Sequence, residues 1–176
     1  MSGHSHWAGI KHKKEITDKK RARIFSKLLA AISAAAKKEQ NPDFNPRLRT
    51  AVEKAEQASI PADNIARAIK RASDTGQNLE ELVFEAYGPG GAAILIEAIS
   101  DNKNRAVQEI KKILSELGGK WAEPGSVLWA FTKTDNGWTA KFPQEVEEEE
   151  HNKLGSLIEE IEENDNVQKV YTNEKN

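Results

Sequence analysis

The residues with the most chemistry to offer crowd one N-terminal stretch, GHSHWAGIKHKKEITDKKRARIFSK, residues 3–27. It holds Lys11, Lys13, Lys14, Lys19, Lys20, Arg21, Arg23 and Lys27, together with His4, His6, His12 and Trp7. Like charges this dense repel one another, so the stretch gains most from a polyanion, and nucleic-acid phosphate is the usual one. If about six of these cations met phosphates, log affinity would fall with log salt at a slope of about −5. Nothing in that attraction reads a base sequence. Trp7 has two open readings: it stacks on an exposed base, or it anchors the chain terminus to its own domain. The three histidines do not complete a zinc site, because no cysteine or nearby carboxylate pair supplies further converging ligands. They read as neutral hydrogen-bonding groups or as extra cations beside an acidic partner.

The elements that must position these residues follow from the apolar pattern. Residues 1–22 have no apolar periodicity, which predicts a mobile or partner-ordered arm. From Ile24 the spacing of Leu28, Ala31, Ile32, Ala35 and Ala36 predicts a helix ending near Glu39. NPDFNP (41–46) breaks it. A second helix is expected over 46–58, with Leu48, Ala51, Val52 and Ala55 inward. A third is expected after Ile60-Pro61, with Ile65, Ala66, Ile69 and Ala72 inward and Asp63 complementing its dipole. DTGQN (74–78) reads as a linker.

Beyond it the pattern changes to β-type runs. LVFEAYG (82–88) and AAILIEAIS (92–100) flank the turn PGG, and NKNRAVQEIKKILSEL (102–117) is an amphipathic helix. SVLWAF (126–131) and GWTAKF (137–142) read as neighbouring strands, 145–163 as an acidic helix and VQKVYT (167–172) as a closing strand. From residue 92 the order is β-α-β-β-α-β, with 82–88 as an extra edge strand. The expected fold is therefore α+β: a basic arm (1–22), a three-helix domain (23–78) and a ferredoxin-like α/β domain (79–176).

Charge divides along the same line. The first 79 residues carry 16 Lys and Arg against 8 Asp and Glu, and the other 97 carry 10 against 20, a split hidden by the net charge of −2. A basic half points to nucleic acid; the plainer reading is that it only solubilises. The chain has no cysteine, which excludes disulfides and thiolate catalysis and suits a reducing cytoplasm. No apolar run is long enough to span a bilayer and the N-terminus lacks the apolar core of a secretory signal.

Other motifs read as structural. YGPGG (87–91) lacks a phosphate-binding lysine and does not lead from a strand into a helix, so it reads as a tight β-connection. In DNKNR (101–105), Asp101 or Asn102 is expected to cap the following helix, with Lys103 and Arg105 in solvent. The acid run Glu147–Glu150 and its continuation to Glu163 spread around a solvated helix rather than forming a desolvated catalytic pair. No enzyme is expected, and no cofactor, metal or small-molecule substrate.

With these residues in view, the chain resembles the YebC/PmpR family. The matching stretches are GHSHWAGIKHKK (3–14), NPRLRTAVEKA (45–55), IPADNIARAIKRA (60–72), YGPGGAAILIEA (87–98), DNKNR (101–105), GSV (125–127) and NVQKVY (166–171). The resemblance implies a helical N-terminal domain followed by α/β domains, and a non-enzymatic role in gene expression. Some members are described as DNA-binding transcriptional regulators, others as ribosome-associated translation factors. Carried over by position, Lys11, His12, Lys13 and Lys14 would face the nucleic acid. Two departures are visible: His6 stands where the family usually has lysine, and the middle α/β domain expected between SVLWAFTKT and WTAKFPQEVEEEE is missing, as in a short form.

The expected function is a ribosome- or RNA-associated translation factor, with a DNA-binding regulator as the alternative and a nucleic-acid-independent interaction module as a third class. The chain is expected to be a cytoplasmic monomer with no membrane contact.

Overall fold

The computed structural model describes the backbone of residues 3–74 and 78–175, and side chains from Thr17 onward within those spans. The chain divides into two compact units, Met1–Gln77 and Asn78–Asn176. The fold is α+β, a helical unit followed by one built on an antiparallel sheet.

The first unit has three helices, α1 (Gly3–Ala35), α2 (Pro46–Gln57) and α3 (Ala62–Arg71). Its core is small: Ile32, Ala36, Leu48, Ala55, Ile60, Ile65 and Ala68 are buried, with Phe25, Leu28 and Leu29 packed on them. Alanines let the helices approach closely. Ala66, expected inside, is exposed and Ala68 takes its place.

The arm expected over 1–22 is instead helical from Gly3, continuous with the predicted first helix. An apolar stripe marks a buried helix face, and a helix without one carries no such mark. Lys, Arg, Ala and Glu are good helix formers, and nothing between Gly9 and Ala35 interrupts them. At a rise of 1.5 Å per residue, α1 is about 50 Å long.

The second unit has three layers. Strands β1 (Glu80–Tyr87), β2 (Ala93–Ser100), β3 (Lys120–Ala122) and β6 (Val167–Thr172) form an antiparallel sheet in the order β3-β1-β2-β6. Helices α4 (Lys103–Glu116) and α5 (Glu148–Glu163) cover one face, burying Ala106, Ile110, Leu114, Leu154, Leu157 and Ile161 against Phe84, Ala86, Ile94 and Ile96. On the other face lies a hairpin of β4 (Phe131–Thr134) and β5 (Gly137–Ala140), where Val127, Ala130 and Phe131 pack on Ala93, Leu95 and Ala122.

Two helices on one face of an antiparallel sheet fit the expected α+β class, but strand membership differs from the expected order. Residues 82–88 are an inner strand, paired with both β2 and β3, rather than an edge. SVLWAF is a loop and a short 3-10 turn leading into the separate hairpin. The strand that replaces it is the three-residue β3, whose KWA is too short to register as a periodic run. Strands β2 and β3 are parallel with β1 between them, a split β-α-β unit.

Candidate nucleic-acid interface

Helix α1 positions all twelve candidate residues. The side chains of His4, His6, Trp7, Lys11, His12, Lys13 and Lys14 lie outside the described residues, so only their place on a helical backbone is set. At 100° per residue, Phe25, Leu28 and Ile32 face α2 and α3, while Lys19, Lys20, Arg23 and Lys27 fall on the opposite face. Lys19, Arg23 and Lys27 follow one another at four-residue spacing, about 6 Å apart along the axis. Arg21 departs from this group: its guanidinium lies over the Phe25 ring at 5.3 Å, at the margin of the packed face.

The far end of α1 is fixed by Asn45. Its Nδ2 donates to the carbonyls of Ala35 (2.8 Å) and Glu39 (2.7 Å), closing α1, while its Oδ1 accepts from the Leu48 amide (3.1 Å), opening α2. Ser33 is buried in the core and satisfied by donating to the Ala68 carbonyl at 2.8 Å, which ties α1 to α3. The cationic face is thus held from the rear by caps and small-residue packing.

The first unit adds cations that were not among the candidates. Lys70 and Arg71 are exposed in the last turn of α3, and Lys37 and Lys38 are exposed just after α1. They lie in lysine and arginine runs legible in the sequence, IARAIKRA and AAAKKEQ. Arg67 and Arg49 are occupied locally, Arg67 by Asp63 and Asn64 and Arg49 by the carbonyls of Pro42 and Asp43.

In the second unit several carboxylates work as internal acceptors. Glu85, 6 % exposed on β1, accepts from the amides of Gly125 (2.5 Å), Val127 (2.7 Å) and Leu128 (2.9 Å), which orders the GSV loop. Glu97 on β2 accepts from Trp138 Nε1 at 2.9 Å and from the Tyr171 hydroxyl at 3.2 Å, pinning the hairpin to the sheet. Burial, aided by the charge of Glu97, pushes the Tyr171 hydroxyl up to about 12, so it stays a donor. An acidic residue inside an apolar strand, as in LVFEAY and AILIEAIS, was the available signal for both.

The remaining motifs are structural. Asn102 caps α4 by accepting from the Arg105 amide at 3.0 Å, and Arg105 pairs with Asp101 at 2.6 Å rather than standing alone in solvent. Gly90 has a φ of +71°, and a Cβ there would meet Val146 Cγ1 at 2.7 Å. The PGG turn is therefore filled by the segment leading into α5, which leaves no cradle for phosphate. Among the described residues no group of His, Asp or Glu is placed to hold a metal. No helix there is long and apolar enough to cross a membrane.

Comparison with known proteins agrees with this organisation. Residues 5–75 match the TACO1/YebC protein N-terminal domain, and residues 79–136 match the TACO1/YebC second and third domain. A protein of Koribacter versatilis is 52% identical over 135 residues and one of Solibacter usitatus is 50% identical over 135 residues; both are named "Probable transcriptional regulatory protein". Each alignment takes in 76% of this chain and 54% of the relative, so the chain spans about half the length of the curated relatives it matches. A crystal structure of a conserved hypothetical protein from Aquifex aeolicus superposes with a TM-score of 0.84 at 27% identity, covering 90% of this chain and 91% of that one. The second match stops at Asn136, in the turn between β4 and β5, while this chain continues through α5 and β6 to complete its sheet. Both matched segments, an N-terminal domain followed by the second and third domain, place the chain in the TACO1/YebC family.

Proposed function

We propose that the protein is a nucleic-acid-binding regulator of gene expression, and that its physiological target is RNA, most directly the ribosome. The observation that carries this reading is the face of α1 turned away from its own core, where Lys19, Lys20, Arg23 and Lys27 are gathered on a unit with 16 basic against 8 acidic residues. Phosphate contacts position a protein without reading bases, and a long cationic helix suits irregular RNA, where shape and backbone dominate. The candidate residues His4, His6, Trp7, Lys11, His12, Lys13 and Lys14 would extend the same contact towards the N-terminus. In this reading the basic segment 1–22 and the helical domain 23–78 make the polyanion contact, and domain 79–176 carries the negative charge. The protein is not an enzyme, takes no cofactor and works as a cytoplasmic monomer.

The test is sedimentation of lysate on a sucrose gradient. Co-migration with ribosomes that survives DNase and is abolished by RNase supports the proposal; a protein that stays at the top of the gradient in low salt refutes it. The names of the relatives favour a second reading, a DNA-binding transcriptional regulator. A specific duplex that outcompetes a random one by about a thousandfold at physiological salt would establish it instead.

A further inference from the structure

Four of the large apolar side chains exposed on this protein gather at one end of the second unit's sheet. Trp129 is 62% exposed, Phe142 57%, Tyr87 39% and Leu128 36%. Trp129 and Phe142 touch, with centroids 5.5 Å apart and planes tilted by 49°. The Trp129 indole N–H donates to the Ser126 carbonyl at 2.8 Å, and the Tyr87 hydroxyl donates to the same oxygen at 3.3 Å. The donors of both rings are therefore satisfied inside the protein. What they still offer a partner is ring face.

The surroundings select the partner. Lys120 is the cross-strand neighbour of Tyr87, so both side chains lie on the same face of the sheet, and Lys141 precedes Phe142. Both lysines are exposed, and neither ammonium has an ion-pair partner among the described residues. The acidic helix α5 packs on the opposite face, against Ile94 and Ile96, and nearby Glu145 is paired with Lys175 at 2.9 Å. Closer by, the Glu85 carboxylate is buried and taken up by the amides of Gly125, Val127 and Leu128, while Glu123 and Asp135 are exposed acids near in sequence. Apolar ring faces with internally satisfied donors, flanked by cations, suit unpaired bases strung on phosphate.

We infer that Trp129 and Phe142, flanked by Tyr87, Lys120 and Lys141, form a stacking platform for unpaired bases of a single-stranded nucleic acid. This inference rests on the nucleic-acid reading above and deepens it. The first unit holds phosphate, whether single- or double-stranded, and the second unit distinguishes unpaired bases from a duplex.

The test uses the full chain and two labelled probes read by fluorescence anisotropy, a short oligouridylate and a duplex of equal charge. The double variant W129A/F142A is expected to bind oligouridylate about 30-fold more weakly and the duplex within about twofold of the unaltered chain. W129F, which keeps a ring, is expected to retain most of the single-strand affinity, and an unchanged melting temperature excludes misfolding as the cause. Unchanged oligouridylate binding by the double variant overturns the platform, and so does an equal loss on both probes. A shift from dimer to monomer in sedimentation velocity at unchanged affinity also overturns it, making the patch a contact between copies. If the unaltered chain binds neither probe, the nucleic-acid reading itself falls and this inference with it; loss of the ring effect alone leaves that reading standing.

Discussion

The two units treat charge in opposite ways. In the first, Lys19 and Lys20 stand exposed on α1 ahead of its packed part, which begins at Phe25 and closes a core of Ile32, Leu48, Ile60 and Ile65 with Ala36, Ala55 and Ala68. In the second, Glu85, Glu97 and Glu109 accept hydrogen bonds from amides, a tryptophan, a tyrosine and two asparagines, and so help to hold the architecture together. The glutamates of α5 are mostly exposed, with Glu149 and Glu150 paired to Lys153. Net charge alone therefore misleads: the positive excess is displayed, while part of the negative excess is structural. A cation needs only a supporting helix to be displayed, whereas a buried carboxylate must have its acceptor sites filled.

That contrast can be broken most sharply by cutting the second core. Leu154→Ala removes a fully buried side chain beneath the sheet and is expected to cost about 4 kcal/mol in urea unfolding. The transition of the first unit should not move; a shared shift would mean that the units are not energetically separate. Glu85→Ala strips three backbone amides of their acceptor and is expected to cost about 3 kcal/mol, with proteolytic cleavage appearing in the 123–128 loop. A surface carboxylate would cost nothing measurable there.

The displayed cations predict a different signature. Joint replacement of Lys19 and Lys20 by Glu is expected to weaken nucleic-acid binding about twentyfold at low salt and to flatten the salt slope by about 2. Melting should shift little, as expected for surface changes. Asn45→Ala is expected to destabilise the first unit by about 1.5 kcal/mol, because one side chain closes α1 and opens α2. The smallest effect is alkaline. The Tyr171 hydroxyl titrates higher in the folded chain, at about 12, than the ordinary 10 of an unfolded one. Its contribution is fully present below pH 10 and is lost as pH rises towards 12, because the unfolded chain releases the proton first. Tyr171→Phe should flatten that part of a pH–melting curve.

The helices of the first unit were legible because their boundaries are chemical: the NPDFNP break and Pro61 set the ends of α2 and the start of α3. The helices of the second unit were legible from the spacing of Ile110 and Leu114 and of Leu154, Leu157 and Ile161. Helix α1 extends beyond its apolar spacing because periodicity detects a buried face, and residues 17–22 are exposed all round. Strand β3 was missed because three residues carry no period. SVLWAF looked like a strand because β-type residues also suit a tight turn that sends Val127, Ala130 and Phe131 inward and leaves Trp129 outside.

From the residues alone came the segregation of charge, the α+β class, the helix faces and the cationic character of the N-terminal stretch, since each depends on residue type and local spacing. Tertiary structure decided that 82–88 lies inside the sheet, that Glu85 and Glu97 are structural acceptors, that Tyr87 and Trp129 share the Ser126 carbonyl, and that Trp129 meets Phe142. Those are long-range pairings between residues up to 74 positions apart, made by strand register and layer packing, and no local pattern encodes them.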